Sequence, residues 1–103
     1  MEKELQANED LWSLFRVICH LEDVESCSRF LRDLCTVGEL KAMGERWAVT
    51  RLLKTGLPYR EISVKTGAST ATITRIAHWL RYGEGGYREA LSWLQQAEDN
   101  KVV

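Results

Sequence analysis

The apolar residues of this 103-residue chain recur at spacings of three and four along most of its length, and the strand-like alternation of β-branched residues is nearly absent. That period restricts the fold to packed helices. Leu11, Leu14, Phe15, Ile18 and Leu21 form one stripe. Val24, Cys27, Leu31 and Leu34, with Phe30 beside them, form a second. Asn8 and Asp23 stand where the N-caps of these two helices belong. Thr36 and Glu39 have the T-x-x-E spacing of a capping box, so a third helix is expected from Thr36 to Thr55, stopped by Gly56. Its apolar residues, from Leu40 and Met43 through Trp47 and Val49 to Leu53, lie on more than one face. A helix of that kind belongs at the centre of a fold, against a second subunit.

Pro58, the only proline, suits the first turn of a short helix through Thr66. Gly67 separates it from a helix over about 69–80, and Gly83, Gly85 and Gly86 interrupt the chain again as a linker. Tyr87, Ala90, Leu91 and Leu94 mark a last amphipathic helix, and the polar tail QQAEDNKVV is expected to fray. The fold class is all-α, about six helices in one domain over 1–103, with Trp12, Trp47, Trp79 and Trp93 read as core anchors.

Several function classes drop out. At 45% hydrophobic and 28% charged residues, the composition is that of a soluble globular domain, and no apolar run approaches the 18 or so residues of a membrane span. The start, MEKELQANED, is acidic and does not read as a secretory signal. Cys19, Cys27 and Cys35 are odd in number and eight residues apart, which fits neither a zinc pair nor a disulfide framework; they read as reduced thiols of a cytoplasmic protein. His20 and His78 have no partner at metal spacing and read as exposed or capping residues. No nucleophile–base set, paired carboxylates or phosphate-cradling loop is visible, so no catalysis, metal or cofactor is expected.

The informative stretch is PYREISVKTGASTATITRIAHWL, residues 58–80. Two short helices joined through Gly67 have the form of a helix-turn-helix spanning about 58–81. Ile62, Thr66, Ala68, Ile73 and Ile76 fall where the two helices must meet. Ser69, Thr70, Thr72 and Thr74 are small and polar, which leaves room for a helix to enter a major groove and hydroxyls to reach base edges or phosphates. A compact helical hairpin of no such function has similar spacing. The charge distribution separates the two readings. The net charge of −1 divides into −5 over residues 1–39, +6 over 40–82 and −2 over 83–103. The basic third contains the helix pair, as phosphate contacts require, and Lys65 lies close enough to the turn to make one.

At GASTATITR, and at GERWAVTRLLKTG over 44–56, the sequence resembles the Trp repressor family, and more closely its YerC/YecD-type branch of small bacterial proteins. The resemblance is specific over about 35–80. It implies an intertwined all-helical homodimer that binds double-stranded DNA, with two reading heads facing half-sites about 34 Å apart. Arg60 matches a family arginine that reaches a guanine edge, and Thr70, Ala71 and Thr74 match the tip and face of the recognition helix. Arg46 and Arg75 match two arginines that sandwich the indole of bound tryptophan, and Thr36 matches a residue whose backbone region holds the ligand's amino group. Where tryptophan-binding members have glycine, this chain has Ile76, and Cys35 replaces a larger apolar residue. A branched side chain at 76 takes the space of the ring, so L-tryptophan is not expected as co-repressor, and the effector is unassigned. The expectation is a homodimeric transcriptional repressor; the rival is a helical adaptor that binds protein through the same helix pair.

Overall fold

The structure, a computed structural model, describes residues 1–101. Among them every regular element is a helix: α1 (Lys3–Gln6), α2 (Glu9–Cys19), α3 (Val24–Leu34), α4 (Val37–Lys54), α5 (Tyr59–Thr66), α6 (Thr70–Tyr82) and α7 (Gly86–Lys101). This is one helix more than the periodicity predicts. The addition, α1, is a single turn with no apolar stripe to announce it. None of the helices is long and apolar enough to cross a membrane. The chain divides into two compact units, Met1–Lys41 and the remainder from Ala42 onward.

In the first unit the helix starts lie where their capping residues put them. The Asn8 carboxamide oxygen accepts from the Leu11 N–H at 3.0 Å, and the Asp23 carboxylate accepts from the Ser26 N–H at 2.6 Å. Thr36 and Glu39 make both halves of a capping box: Thr36 N–H donates to Glu39 Oε1 at 2.8 Å, and Glu39 N–H donates to Thr36 Oγ1 at 3.0 Å. The Trp12 indole N–H donates to the Leu5 carbonyl at 2.9 Å, tying α1 to α2. Trp12 and Phe15 pack edge to face, centroids 5.3 Å apart.

The N–H groups that Asp23 and Glu39 accept stabilise their charged forms and hold both carboxyls below the ordinary carboxylate range. A carboxyl whose pKa is depressed by folding stabilises the native state above its unfolded pKa, about 4.3 for Glu, and stops doing so as the pH falls through the folded value. Glu39→Ala should therefore melt below the wild type at pH 7, and the gap should close on acidification below about pH 4. A gap that stays constant down to pH 2 would show that the Glu39 charge contributes nothing.

The second unit holds the core. Val49, Ile62, Ala68, Ile73 and Ile76 are buried together, with Leu52, Leu53, Leu57 and Tyr87 packed around them. α5 packs on α6, and α6 on α7. Pro58 stands one position earlier than predicted, as the N-cap of α5 rather than in its first turn. Gly56 and Gly67 both have positive φ, at +83° and +80°, and end α4 and α5 in the left-handed conformation that glycine adopts at no steric cost. α6 runs on to Tyr82 and stops at Gly83, where a Cβ would collide with the Trp79 carbonyl. α7 continues through much of the tail expected to fray. Val102 and Val103, the end of that tail, lie outside the described residues.

The tryptophans are not the core anchors expected of them. Trp79 is 53% exposed, Trp93 67% and Trp12 37%, and only Trp47 is half-buried. Trp93 lies two residues from the buried Leu91, on the opposite side of α7. Among the described residues the buried apolar side chains are isoleucines, Val49, Ala68 and Leu91 instead. α4 shows the same division. Val49 and the fully buried Thr50, whose hydroxyl donates to the Arg46 carbonyl at 2.8 Å, enter the core, while Ala42 and Met43 stay exposed.

Candidate nucleic-acid interface

The basic segment folds around a tight corner between α5 and α6. Ile62 on α5 and Ile73 on α6 are each 0% exposed and meet with Val49 behind them, which puts the opposite faces of both helices in solvent. The turn is Gly67–Ala68–Ser69. Ala68 is buried in it, and Ser69 caps α6 by accepting the Thr72 N–H at 3.1 Å.

The predicted contact residues are not equivalent in this setting. Thr70 and Ala71 are exposed at the N-terminal tip of α6, and Thr74 is exposed one turn further along the same face. The Thr74 hydroxyl donates to the Thr70 carbonyl at 2.9 Å, which leaves its oxygen lone pairs outward as acceptors. Arg60, in the first turn of α5, and Lys65, in its last, are exposed as well. Ser69 and Thr72 are occupied differently. The Ser69 hydroxyl donates to Thr72 Oγ1 at 3.0 Å, and Thr72 is half-buried, so this pair builds the start of the helix.

All eight Lys and Arg side chains of residues 40–82 are exposed, against two acids, Glu45 and Glu61, in the same span. Arg46 on α4 and Arg75 on α6 are among them. Ile76 is 3% exposed and packs with Ala68, Ile62 and Val49, so it closes the corner from inside. Thr36, the remaining pocket candidate, belongs to the first unit, where its capping-box role occupies it. Among the described residues no cluster of His, Cys, Asp and Glu suits a metal ion.

Two features of the corner escaped the sequence reading. One is a pair of hydroxyls, Ser63 and Thr66, hydrogen-bonded around Ala68. Hydroxyl residues in the last turn before a left-handed glycine are the signal that marks them. The other is an exposed aromatic group on the C-terminal half of α6, where the His78 ring lies 5.4 Å from Trp79 and 5.1 Å from Tyr82. Its signal is the i, i+4 spacing of His78 and Tyr82.

Comparison with known proteins agrees with this construction. The family model described as Trp repressor protein matches residues 9–96. The YerC protein of Bacillus subtilis is 40% identical over 98 residues, which cover 95% of this chain and 94% of that protein. A Trp operon repressor homolog from Chlamydia caviae is 31% identical, with 93% of this chain and 97% of that protein covered. Among solved structures, a TrpR-like protein from Eubacterium eligens matches with a TM-score of 0.86 at 34% identity, covering 91% of this chain and 96% of that one. A sequence match across nearly the whole chain and a shared helical fold make this protein a member of the Trp repressor family.

Proposed function

We propose that this protein is a sequence-specific DNA-binding transcriptional regulator, a repressor that occupies its operator as a cytoplasmic homodimer. The α5–α6 corner is its helix-turn-helix reading head. The observation that carries this reading is the exposed face of α6. Thr70, Ala71 and Thr74 form a slim, hydroxyl-bearing ridge on a helix whose other face is locked into the core, and Arg60, Lys65 and Arg75 are exposed on the same helix pair. Cations of that kind supply affinity through phosphates, and the ridge supplies sequence preference through base edges. Membership of the Trp repressor family points the same way, toward a regulator rather than an enzyme.

The homodimer is supported by what the protomer leaves uncovered. No residue from Met1 to Ala48 is buried, although α2 and α3 carry clear apolar stripes. Ile18, Val17, Leu34 and Met43 are all at least 37% exposed. Apolar faces of this extent call for a partner, and a second copy of the chain is the one we propose, giving two basic heads joined by an acidic helical body.

A mobility-shift assay on mixed genomic fragments, at low and moderate salt, tests the DNA reading; no shift at either would favour the protein-binding adaptor. With a duplex selected from a random pool, Arg60→Ala and Thr74→Ala should each cost about 1–3 kcal/mol while bulk DNA binding changes little. Equal losses on every sequence would overturn base readout by these residues.

L-tryptophan is not the co-repressor in this reading, because Ile76 fills the corner from within and supports α6 without a ligand. Calorimetric titration should show no binding at micromolar concentrations. Micromolar binding between Arg46 and Arg75 would overturn that assignment.

A further inference from the structure

The turn between α5 and α6 is held by side chains in a way that a glycine-containing turn does not require. The Ser63 hydroxyl reaches forward across the turn and donates to the Ala68 carbonyl at 2.6 Å. The Ala68 N–H donates to Thr66 Oγ1 at 3.1 Å, and the Thr66 hydroxyl in turn donates to the Ile62 carbonyl at 2.8 Å. Both polar groups of one residue are therefore held by hydroxyls of the preceding helix. That residue is 2% exposed, so water is a poor substitute for either partner. Ala68 is followed directly by Ser69, the N-cap of α6, whose hydroxyl binds both the Thr72 N–H and Thr72 Oγ1.

Gly67 permits the left-handed turn but does not select the direction in which the chain leaves it, because glycine tolerates a wide range of backbone angles. Whatever holds Ala68 sets that direction. Base-edge contacts need a helix placed within fractions of an ångström, whereas long lysine and arginine side chains follow phosphates through a modest swing.

We infer that Ser63 and Thr66 are positioning residues for DNA recognition: their hydroxyls clamp Ala68 and so fix the direction in which α6 presents Thr70, Ala71 and Thr74. The inference rests on the DNA-binding reading of the corner. Loosening the clamp loses sequence preference while general affinity for DNA remains.

Ser63→Ala and Thr66→Val remove one hydroxyl each at nearly constant shape, and Ser63→Thr and Thr66→Ser restore it. The first readout is amide hydrogen exchange in the free protein. Amides from Ala68 to Ile73 should exchange about 5- to 10-fold faster in the hydroxyl-deleted variants, those of α7 should not change, and the hydroxyl-bearing variants should return to the wild-type rate. The second readout compares a duplex selected by the wild-type protein with a scrambled duplex of equal length. The preference should fall about tenfold, with the scrambled-duplex affinity and its salt slope unchanged. Unchanged exchange, or acceleration spread evenly over the molecule, overturns the clamp. Faster local exchange with the preference intact, or equal losses on both duplexes, overturns its role in recognition. A wild-type protein that prefers no selected duplex overturns the DNA reading instead, and the exchange rates still decide whether the clamp holds α6.

Discussion

Replacing Ile73 by Ala is expected to destabilise the protein by about 2–5 kcal/mol, read as a drop in the urea midpoint at unchanged slope. Ile73 is 0% exposed and stands at the junction of α5, α6 and the buried stretch of α4. Val49, Ile62, Ala68 and Ile76 share its buried cluster at close packing, so the cavity left by three heavy atoms closes only if these neighbours shift. Total stabilities of small domains are about 5–15 kcal/mol, so this one change consumes a large share. Val64→Ala is the control. Val64 lies two residues from Ile62 on α5 but is 81% exposed, and its truncation should shift stability by no more than about 0.5 kcal/mol. A loss for Ile73→Ala comparable to that of Val64→Ala would show that the reading head is not packed through this side chain.

The largest effect on DNA affinity is expected from salt. If each of two heads engages about three phosphates, log K should fall against log salt with a slope near −5, a loss of roughly a thousandfold between 50 and 200 mM. Lys65→Ala should reduce the slope by about 0.9 while weakening all sequences alike, whereas Arg60→Ala should leave the slope on scrambled DNA nearly unchanged. A slope close to zero would mean that the exposed cations of residues 40–82 do not meet phosphates, and the adaptor reading would take precedence. The total charge of −1 is no obstacle to such binding, because steering depends on where the charge lies and the acids are concentrated outside the basic segment.

Much of this architecture was legible in the residues. The caps at Asn8, Asp23 and Thr36 read correctly because a cap is a local bargain between one side chain and N–H groups two or three residues on. The Ile62, Ala68, Ile73, Ile76 junction read correctly because two short helices joined by a three-residue turn have little freedom in how their apolar faces meet. The tryptophans misled for the complementary reason: size and apolarity say that a residue seeks burial but not against which surface. Trp79 and Trp93 lie on faces that the protomer's own core does not cover. Ser69 and Thr72 carry a second role that residue type alone does not reveal, because they hydrogen-bond to each other at the start of α6.

What the sequence determined by itself was therefore local or additive: helical periodicity, helix starts and stops, the left-handed glycine at 67 and the basic segment at 40–82. Each depends on a few neighbouring residues or on a count. The tertiary structure alone decided which of the remaining apolar residues are buried and which, the tryptophans above all, stay on faces the protomer's core does not cover. Those outcomes depend on how helices pack, and packing joins residues whose proximity no spacing along the chain encodes.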